Sequence, residues 1–294
     1  MNFQDFKKKF PSKKVIINHF ATIRHSQGIK CQHCGKSDQI YTRQDLPKMF
    51  ECRSCNNSFS IFKDTIFEKS STDIKKWFYA IHLFLNGKKG ISALQLQREI
   101  GTTYKTAWRM LRQIRLAMGN KKKKDDDDDD FMQTVIEIDE TYLGGKAENK
   151  HMSERVAAKG IFEKNIVLGM LEREKEVRAF LIDDAKRDTI MAKIYENIKQ
   201  GSNIITDEFK AYYWLYSQFN HDVVNHSKGE YKKGADAHTN SIEGFWSTLK
   251  RGVYGIYHHI SRKYTQNYVN EFAFRYNNRG NSGMFDLVLR QAVL

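Results

Sequence analysis

Apolar residues recur along this chain with two different periods. Up to about residue 118 the helical period dominates. Ile74, Trp77, Phe78, Ile81 and Leu85 fall at spacings of three and four, which predicts a helix over about 73–86 ending near Asn86-Gly87. Ser92 to Ile100 predicts a short second helix broken by Gly101. Thr102 or Thr103 then caps a third, Tyr104 to Met118, with Ala107, Leu111 and Ile114 along one side. Residues 1–24 read as a basic helical lead-in whose apolar contacts are Phe3, Phe6, Phe10, Val15 and Phe20.

From residue 131 the pattern changes to short apolar strands alternating with helices. Thr134 to Asp139 predicts a strand ending in an acid. Asn165–Leu171 and Glu176–Ile182 predict two more strands around a charged hairpin, and Lys186–Lys199 an amphipathic helix. Asn203 to Asp207 is a second short apolar strand ending in an acid. Phe209–Phe219 predicts an aromatic-rich helix and His221–His226 an edge strand. The next helix opens at Asn240, read as its N-cap, with Glu243 three residues on as in a capping box and Ile242, Trp246 and Leu249 facing inward. A last helix over about 261–279 carries Tyr264, Tyr268, Phe272 and Tyr276 on one face. Three strands, helix, strand, helix, strand, helix is the order of a ribonuclease H-like α/β domain with a mixed sheet.

Charge adds a division of labour. Residues 1–124 carry 26 Lys/Arg against 8 Asp/Glu, a balance of +18, and the remainder carries 23 against 27, a balance of −4. The front half is therefore the half suited to a polyanion, with DNA the expected partner. A short second helix, a glycine turn and a basic third helix fit a helix-turn-helix, whose Lys105, Arg109, Arg112 and Arg115 are the expected DNA contacts. Lys121–Lys124 and Asp125–Asp130 form a low-complexity break. The expected domains are thus 1–70, lead-in and a ribbon containing all four cysteines of the chain; 71–120, an all-α helix-turn-helix; 121–130, a charged linker; and 131–294, the ribonuclease H-like α/β domain. No stretch approaches the ~18 consecutive apolar residues of a membrane span, and the lysine-rich start lacks the apolar core of a secretory signal. The expected compartment is the cytoplasm, at the nucleoid, with no membrane partner.

The only four cysteines are Cys31-x2-Cys34 and Cys52-x2-Cys55, with 52 − 34 − 1 = 17 residues between the pairs. Two such knuckles aim four thiolates at one point, the closed shell of one structural Zn²⁺. A cytoplasmic chain disfavours the alternative of two disulfides. His33, between the first two cysteines, is expected at the surface and not as a ligand.

The catalytic expectation rests on acids. Asp139 and Asp207 each end a predicted strand, where a carboxylate is costly unless it is paired or ligates a metal. On adjacent strands their carboxylates would stand side by side. Such oxygen donors select Mg²⁺ or Mn²⁺, and two ions about 4 Å apart serve phosphodiester transfer. Glu243, 243 − 207 = 36 positions further on, is the expected third ligand, and Asn240 the alternative through its carbonyl oxygen. Lys250 lies two turns after Glu243 on the same helix face, and with Arg251 is expected to hold DNA phosphates. Trp246 is expected in the core and His238 at the surface.

At these residues the chain resembles insertion-sequence transposases of the ISXO type, the zinc-ribbon group related to Merlin elements. The resemblance runs from the cysteine pairs to the C-terminus through SALQLQREIGTTYKTAWRMLRQI, EIDETYLGG, ITDEFKAY, HTNSIEGFWSTLKRG and EFAFRYNNR. It implies a DDE-type ribonuclease H-like domain, divalent metal, and cut-and-join chemistry at terminal inverted repeats. The family's third residue is either Asn or Glu, and both are present here. The expected protein is a DNA transposase, at least a dimer on DNA, acting on its element's terminal inverted repeats and on target DNA. The alternatives are a nuclease of the same fold without strand transfer, or a domesticated DNA-binding protein.

Overall fold

The protein is represented by a computed structural model that describes residues 1–26, 28–43, 45–119, 130–144, 164–225 and 238–293. The chain divides into two units, Met1–Lys122 together with Gly280–Leu294, and Lys123–Arg279. The charged linker expected at 121–130 lies, apart from Asp130, outside the described residues.

Local signals start the helices of the first unit. The side chains of Asn2 and Ser12 accept from Asp5 N and Val15 N and so open α1 (Phe3–Lys9) and α2 (Lys13–Arg24). Their aromatic residues then supply the core. Phe6, Phe10 and Phe20 are buried, while Phe3 and Val15 remain exposed. A three-stranded antiparallel ribbon follows, in the order β1 (Ile40–Thr42), β2 (Met49–Cys52), β3 (Asn57–Ser60). Three helices come next: α3 (Ile74–Asn86), capped by Asp73; α4 (Ala93–Ile100), capped by Ser92; and α5 (Tyr104–Gly119). Gly101 ends α4 with φ 58°, a left-handed conformation that glycine adopts without a Cβ penalty.

The sequence reading carried the α/β domain through to residue 294 and kept the ribbon and the helices as separate domains. The observed units differ. Gly280–Leu294 groups with the N-terminal residues, and ribbon and helices share that unit. The reason is a helix given no place in the sequence reading, Met284–Gln291. Its Phe285, Val288 and Leu289 form an apolar face that must be covered. Phe285 packs edge-on against Phe78 with ring centroids 5.6 Å apart and lies 5.4 Å from Phe10. Asp286 takes a 2.9 Å hydrogen bond with His19, and Ile66 N donates to Ala292 O.

The second unit is built on a five-stranded mixed sheet. Its strands are β4 (Val135–Leu143), β5 (Asn165–Glu172), β6 (Val177–Ile182), β7 (Asn203–Thr206) and β8 (Asn220–Val223), in the spatial order β6-β5-β4-β7-β8. β4, β5 and β6 pair antiparallel, whereas β7 and β8 run parallel to β4. Helix α6 (Arg187–Asn197) and a 3₁₀ helix (Lys210–Ser217) cover one face through Ile190, Ile194, Tyr212 and Leu215. Helices α7 (Asn240–Gly252) and α8 (Arg262–Asn277) cover the other through Ile242, Trp246, Leu249, Val269 and Phe272. With both faces covered, every residue of β5 is buried, so its sequence shows a continuous apolar run and no alternation. Among the described residues no helix is long and apolar enough to cross a membrane.

Candidate active site

β4 and β7 run parallel with Val135 opposite Asn203 and Glu137 opposite Ile205, an offset of 203 − 135 = 68 positions. Continued past its last printed pair, the same offset, 139 + 68, points from Asp139 to Asp207, the residue just after β7, and the Asp207 charge does act on the Asp139 carboxyl. Asp207 directly follows its strand, as the sequence suggests. Asp139 does not end one. β4 continues to Leu143 because β5 pairs with it throughout, Asp139 opposite Gly169 and Leu143 opposite Asn165. Only β7 stops, at Thr206, so Asp139 stands where one of its two neighbouring strands gives out.

Side chains alternate along β4. Ile136 and Ile138 belong to the core shared with α6, and Leu143 to the core shared with α7. Glu137, Asp139 and Thr141 therefore face α7, and Glu140 faces the 3₁₀ helix. Asp139 accepts 3.0 Å from the indole N–H of Trp246 and 2.9 Å from the Glu140 N–H. Trp246 is core, as expected, and reaches the acid as well. Glycine at 169 makes this possible. A Cβ there would lie 2.5 and 2.7 Å from the Trp246 ring and 3.0 Å from Ile242 Cδ1. Gly169→Ala is expected to push the indole away from Asp139 and to cost roughly 1–3 kcal/mol by overpacking. Urea denaturation with near-ultraviolet circular dichroism measures both effects. An unchanged midpoint and spectrum would mean the ring has room to move.

Burial raises the Asp139 carboxyl, and the charges of Glu140 and Asp207 raise it further. The N–H groups of Glu140 and Trp246 offset this only in part, leaving a pKa of about 7. Glu140 is also raised, by burial and then by Asp207, against a 2.7 Å hydrogen bond from the Tyr212 hydroxyl. Glu140 and Tyr212 were missed as site residues. The Asp139-Glu140 doublet was the available signal for the first, since alternation sends its second acid across the sheet. Tyr212, 72 positions away, carried none. Asp207 accepts from Phe209 N at 3.0 Å.

A cleft of about 750 Å³ is walled by Asp139, Glu140, Glu243, Lys250, Arg251 and Tyr254. Neither Asn240 nor Asp207 is among its described wall residues. Glu243 and Lys250 share one face of α7, as the two-turn spacing predicts. The start of that helix differs from the sequence reading. Asn240 is its first residue and not its cap; Thr239 holds the cap position and makes no side-chain cap bond. The first-turn N–H groups of Ser241 and Ile242 instead reach the buried carboxylate of Glu137, at 2.9 and 3.0 Å. A capping box between Asn240 and Glu243 is therefore not formed. His238, expected to be a surface residue, is part of the same network through Arg173.

The carboxylate donors are all hard oxygens, of the kind that suits Mg²⁺ or Mn²⁺. The charges of Glu140 and Asp207 act on Asp139, and that of Asp207 on Glu140. Among the described residues, only the four cysteines gather three or more possible metal-ligand atoms within 4.8 Å of one another.

In the first unit Cys31, Cys34, Cys52 and Cys55 converge and none is disulfide-bonded. Cys31 and Cys55 sulfurs stand 3.7 Å apart, as do those of Cys34 and Cys52. A tetrahedron of bonds about 2.3 Å long has edges of about 3.8 Å, so the cluster is compatible with zinc. Burial disfavours the Cys31 thiolate, but the N–H groups of Cys34 and His33 outweigh it and lower the pKa to about 6. At Cys34 the Lys36 N–H favours the thiolate, yet burial and the neighbouring sulfurs together push it to about 12. A central dication removes that conflict. His33 is exposed and outside the cluster.

On α5, Lys105 is exposed and Arg109 and Arg112 are half-buried. Arg115 is a correction. It follows Leu111 by one turn, falls on the core face, is buried, and sets its guanidinium over the Phe84 ring at 5.2 Å. Buried there, it does not present its charge at the surface as the sequence suggests.

A sequence model of the ISXO2-like transposase domain matches residues 131–277, half of the 294-residue chain. The chain is 25% identical over 260 residues, 83% of its own length and 84% of the relative's, to an uncharacterized protein in transposable element ISH50 of Halobacterium salinarum. It is 29% identical over 106 residues, 35% of its length and 82% of the relative's, to an uncharacterized transposase-like protein of Haemophilus influenzae.

Proposed function

We propose that this chain, which belongs to the ISXO2-like transposase family, is a DNA transposase that cleaves and joins strands at the ends of its own element. The observation that carries the reading is the nearness of Asp139, on β4, to Asp207, just after the parallel strand β7, close enough for the Asp207 charge to raise the Asp139 carboxyl, with Glu243 on the wall of the cleft that Asp139 opens into. The strand order β6-β5-β4-β7-β8, with three antiparallel strands followed by two parallel ones, supports a ribonuclease H-like domain.

Asp139, Asp207 and Glu243 would hold two Mg²⁺ or Mn²⁺ ions. Held there, such ions would supply Lewis-acid stabilisation of the charge that develops on the phosphodiester oxygens. The chain's own groups do the rest. Trp246 and the Glu140 N–H fix the Asp139 carboxylate. Tyr212 turns Glu140 away towards the 3₁₀ helix. Lys250 and Arg251, on the cleft wall, suit DNA phosphates. In the first unit the four cysteines would hold one structural Zn²⁺, and Lys105, Arg109 and Arg112 suit the terminal inverted repeats. Two element ends need two active sites, so at least a dimer on DNA follows from this reading. The same activity places the protein at the nucleoid.

The test is a ranking of two substitutions near the third ligand. Glu243→Gln keeps shape and removes charge, and should lower Mg²⁺-dependent cleavage of end-bearing DNA by orders of magnitude while binding and thermal stability hold. Asn240 is not the cap, so Asn240→Ala should stay within about 0.5 kcal/mol of wild-type stability and weaken cleavage only moderately. If Asn240→Ala abolishes cleavage while Glu243→Gln leaves it intact, Asn240 is the third ligand. If no variant, wild type included, cleaves or joins DNA, the transposase reading falls.

A further inference from the structure

Glu137 is fully buried and stands two residues before Asp139 on the same face of β4. One of its oxygens, Oε2, accepts both first-turn N–H groups of α7, Ser241 at 2.9 Å and Ile242 at 3.0 Å. The other, Oε1, accepts 2.7 Å from Arg173 Nε. Arg173 directly follows β5 and donates through Nη2 to His238 O at 2.8 Å, with His238 Nδ1 at 3.0 Å. His238 Nδ1 also lies 3.4 Å from Glu137 Oε1. One carboxylate thus joins the middle strand, the end of its neighbour and the start of the helix.

We infer that Glu137, held by Arg173, is a positioning residue that sets α7, and with it Glu243, at the right height and distance from Asp139. The inference rests on the proposed carboxylate site and assigns a role to a residue outside it. Three observations carry it. The first-turn N–H groups of Ser241 and Ile242 are taken by Glu137 of β4, so the helix start is tied to the strand, while Thr239 reaches Glu243 itself, its Oγ1 3.5 Å from Oε1. A local Ser, Thr, Asp or Asn cap satisfies such N–H groups without burying a charge. Burying the Glu137 carboxylate, paired with a half-buried arginine, is costly, and a local cap would have avoided that cost. Finally, the distances to the two ends of the site are short. Residues two apart on a strand are separated by about 6.6 Å, and Glu243 follows Ile242 immediately. An anion placed at a helix N-terminus is also favoured by the helix dipole, which ties the helix axis to the strand.

The consequence is specific. With Glu137 altered, Asp139 and Glu243 remain intact but their spacing is no longer imposed. The test measures Mn²⁺ binding to the whole protein by electron paramagnetic resonance, alongside cleavage. Glu137→Gln is expected to remain folded and to weaken Mn²⁺ binding roughly ten- to hundredfold, the range for residues that orient metal ligands. Glu243→Gln should weaken it too. The double variant should bind no more weakly than Glu243→Gln alone, because a residue acting through Glu243 has nothing left to position. A merely structural role predicts multiplied effects instead.

Glu137→Asp provides a second route should the glutamine variant unfold. It keeps the charge beside Arg173 but withdraws the carboxylate from the helix, and the same loss of Mn²⁺ binding is expected with the fold retained. Unchanged Mn²⁺ binding in either folded variant, or multiplied losses in the double variant, would overturn the inference. So would unfolding of both single variants, which would assign Glu137 to folding alone. A wild-type protein that binds no Mn²⁺ would instead remove the carboxylate site itself, and the positioning role with it.

Discussion

Asp139→Asn should abolish metal-dependent strand cleavage and, in metal-free buffer at pH 8, make the protein more stable. The two effects have one cause. Asp139 is pushed from 3.8 to about 7 by burial and by the charges of Glu140 and Asp207. A carboxyl whose pKa is raised on folding costs nothing below its unfolded pKa, where both states are protonated. The cost grows as pH rises from about 4 and is complete above about 7. At about 1.4 kcal/mol per unit it reaches a few kcal/mol at pH 8. Asparagine removes that charge and keeps an oxygen for one of the two N–H donors. Thermal unfolding of wild type and variant at pH 5 and pH 8, with and without Mg²⁺, measures it. The expected pattern is a variant more stable than wild type at pH 8 without metal, little difference at pH 5, and a Mg²⁺-induced rise confined to wild type. A variant that is less stable at pH 8 and still cleaves would contradict both the strain and the role.

The second large effect is expected at the cysteines. Chelation, or Cys31→Ser, should unfold the ribbon, because a tetrathiolate site supplies much of the folding free energy of so small a module. The strands of this ribbon are three to four residues long, and its buried apolar side chains include Phe50 and Phe59, 5.5 Å apart. Without the metal, ionising one thiol makes ionising its close neighbours harder, with sulfurs only 3.7 Å apart. The checks are zinc stoichiometry by elemental analysis and circular dichroism before and after chelation. One zinc per chain, lost together with the ribbon's signal, is expected. A metal-free protein of equal stability would rule the site out.

Much of the fold was legible because its signals are local. The cysteine knuckles bound a ribbon whose strands include Ile40–Thr42 and Met49–Cys52. Asp73, Ser92 and Gly101 bound their helices as their types suggest. The strands from β4 to β8 were found within a few residues. The aromatic helix expected over Phe209–Phe219 is instead a 3₁₀ helix over Lys210–Ser217. A third ribbon strand, Asn57–Ser60, was missed.

Local sequence was enough for the cysteine spacing, for an acid directly after the short apolar strand that Asp207 follows, and for the helix face shared by Glu243 and Lys250. Each depends only on neighbours along the chain or on a fixed helical period. Tertiary structure alone decided what happens at longer range. It brought Asp207 within electrostatic reach of Asp139, because β7 pairs beside β4 across the sheet. It buried Arg115, because the core face of α5 is chosen by what α3 offers it. It replaced the expected Asn240 cap with Glu137, about a hundred residues earlier, because a carboxylate of the central strand meets the helix start. It sent Met284–Gln291 to the first unit, because an apolar face goes where a complementary core exists and not where the chain happens to place it.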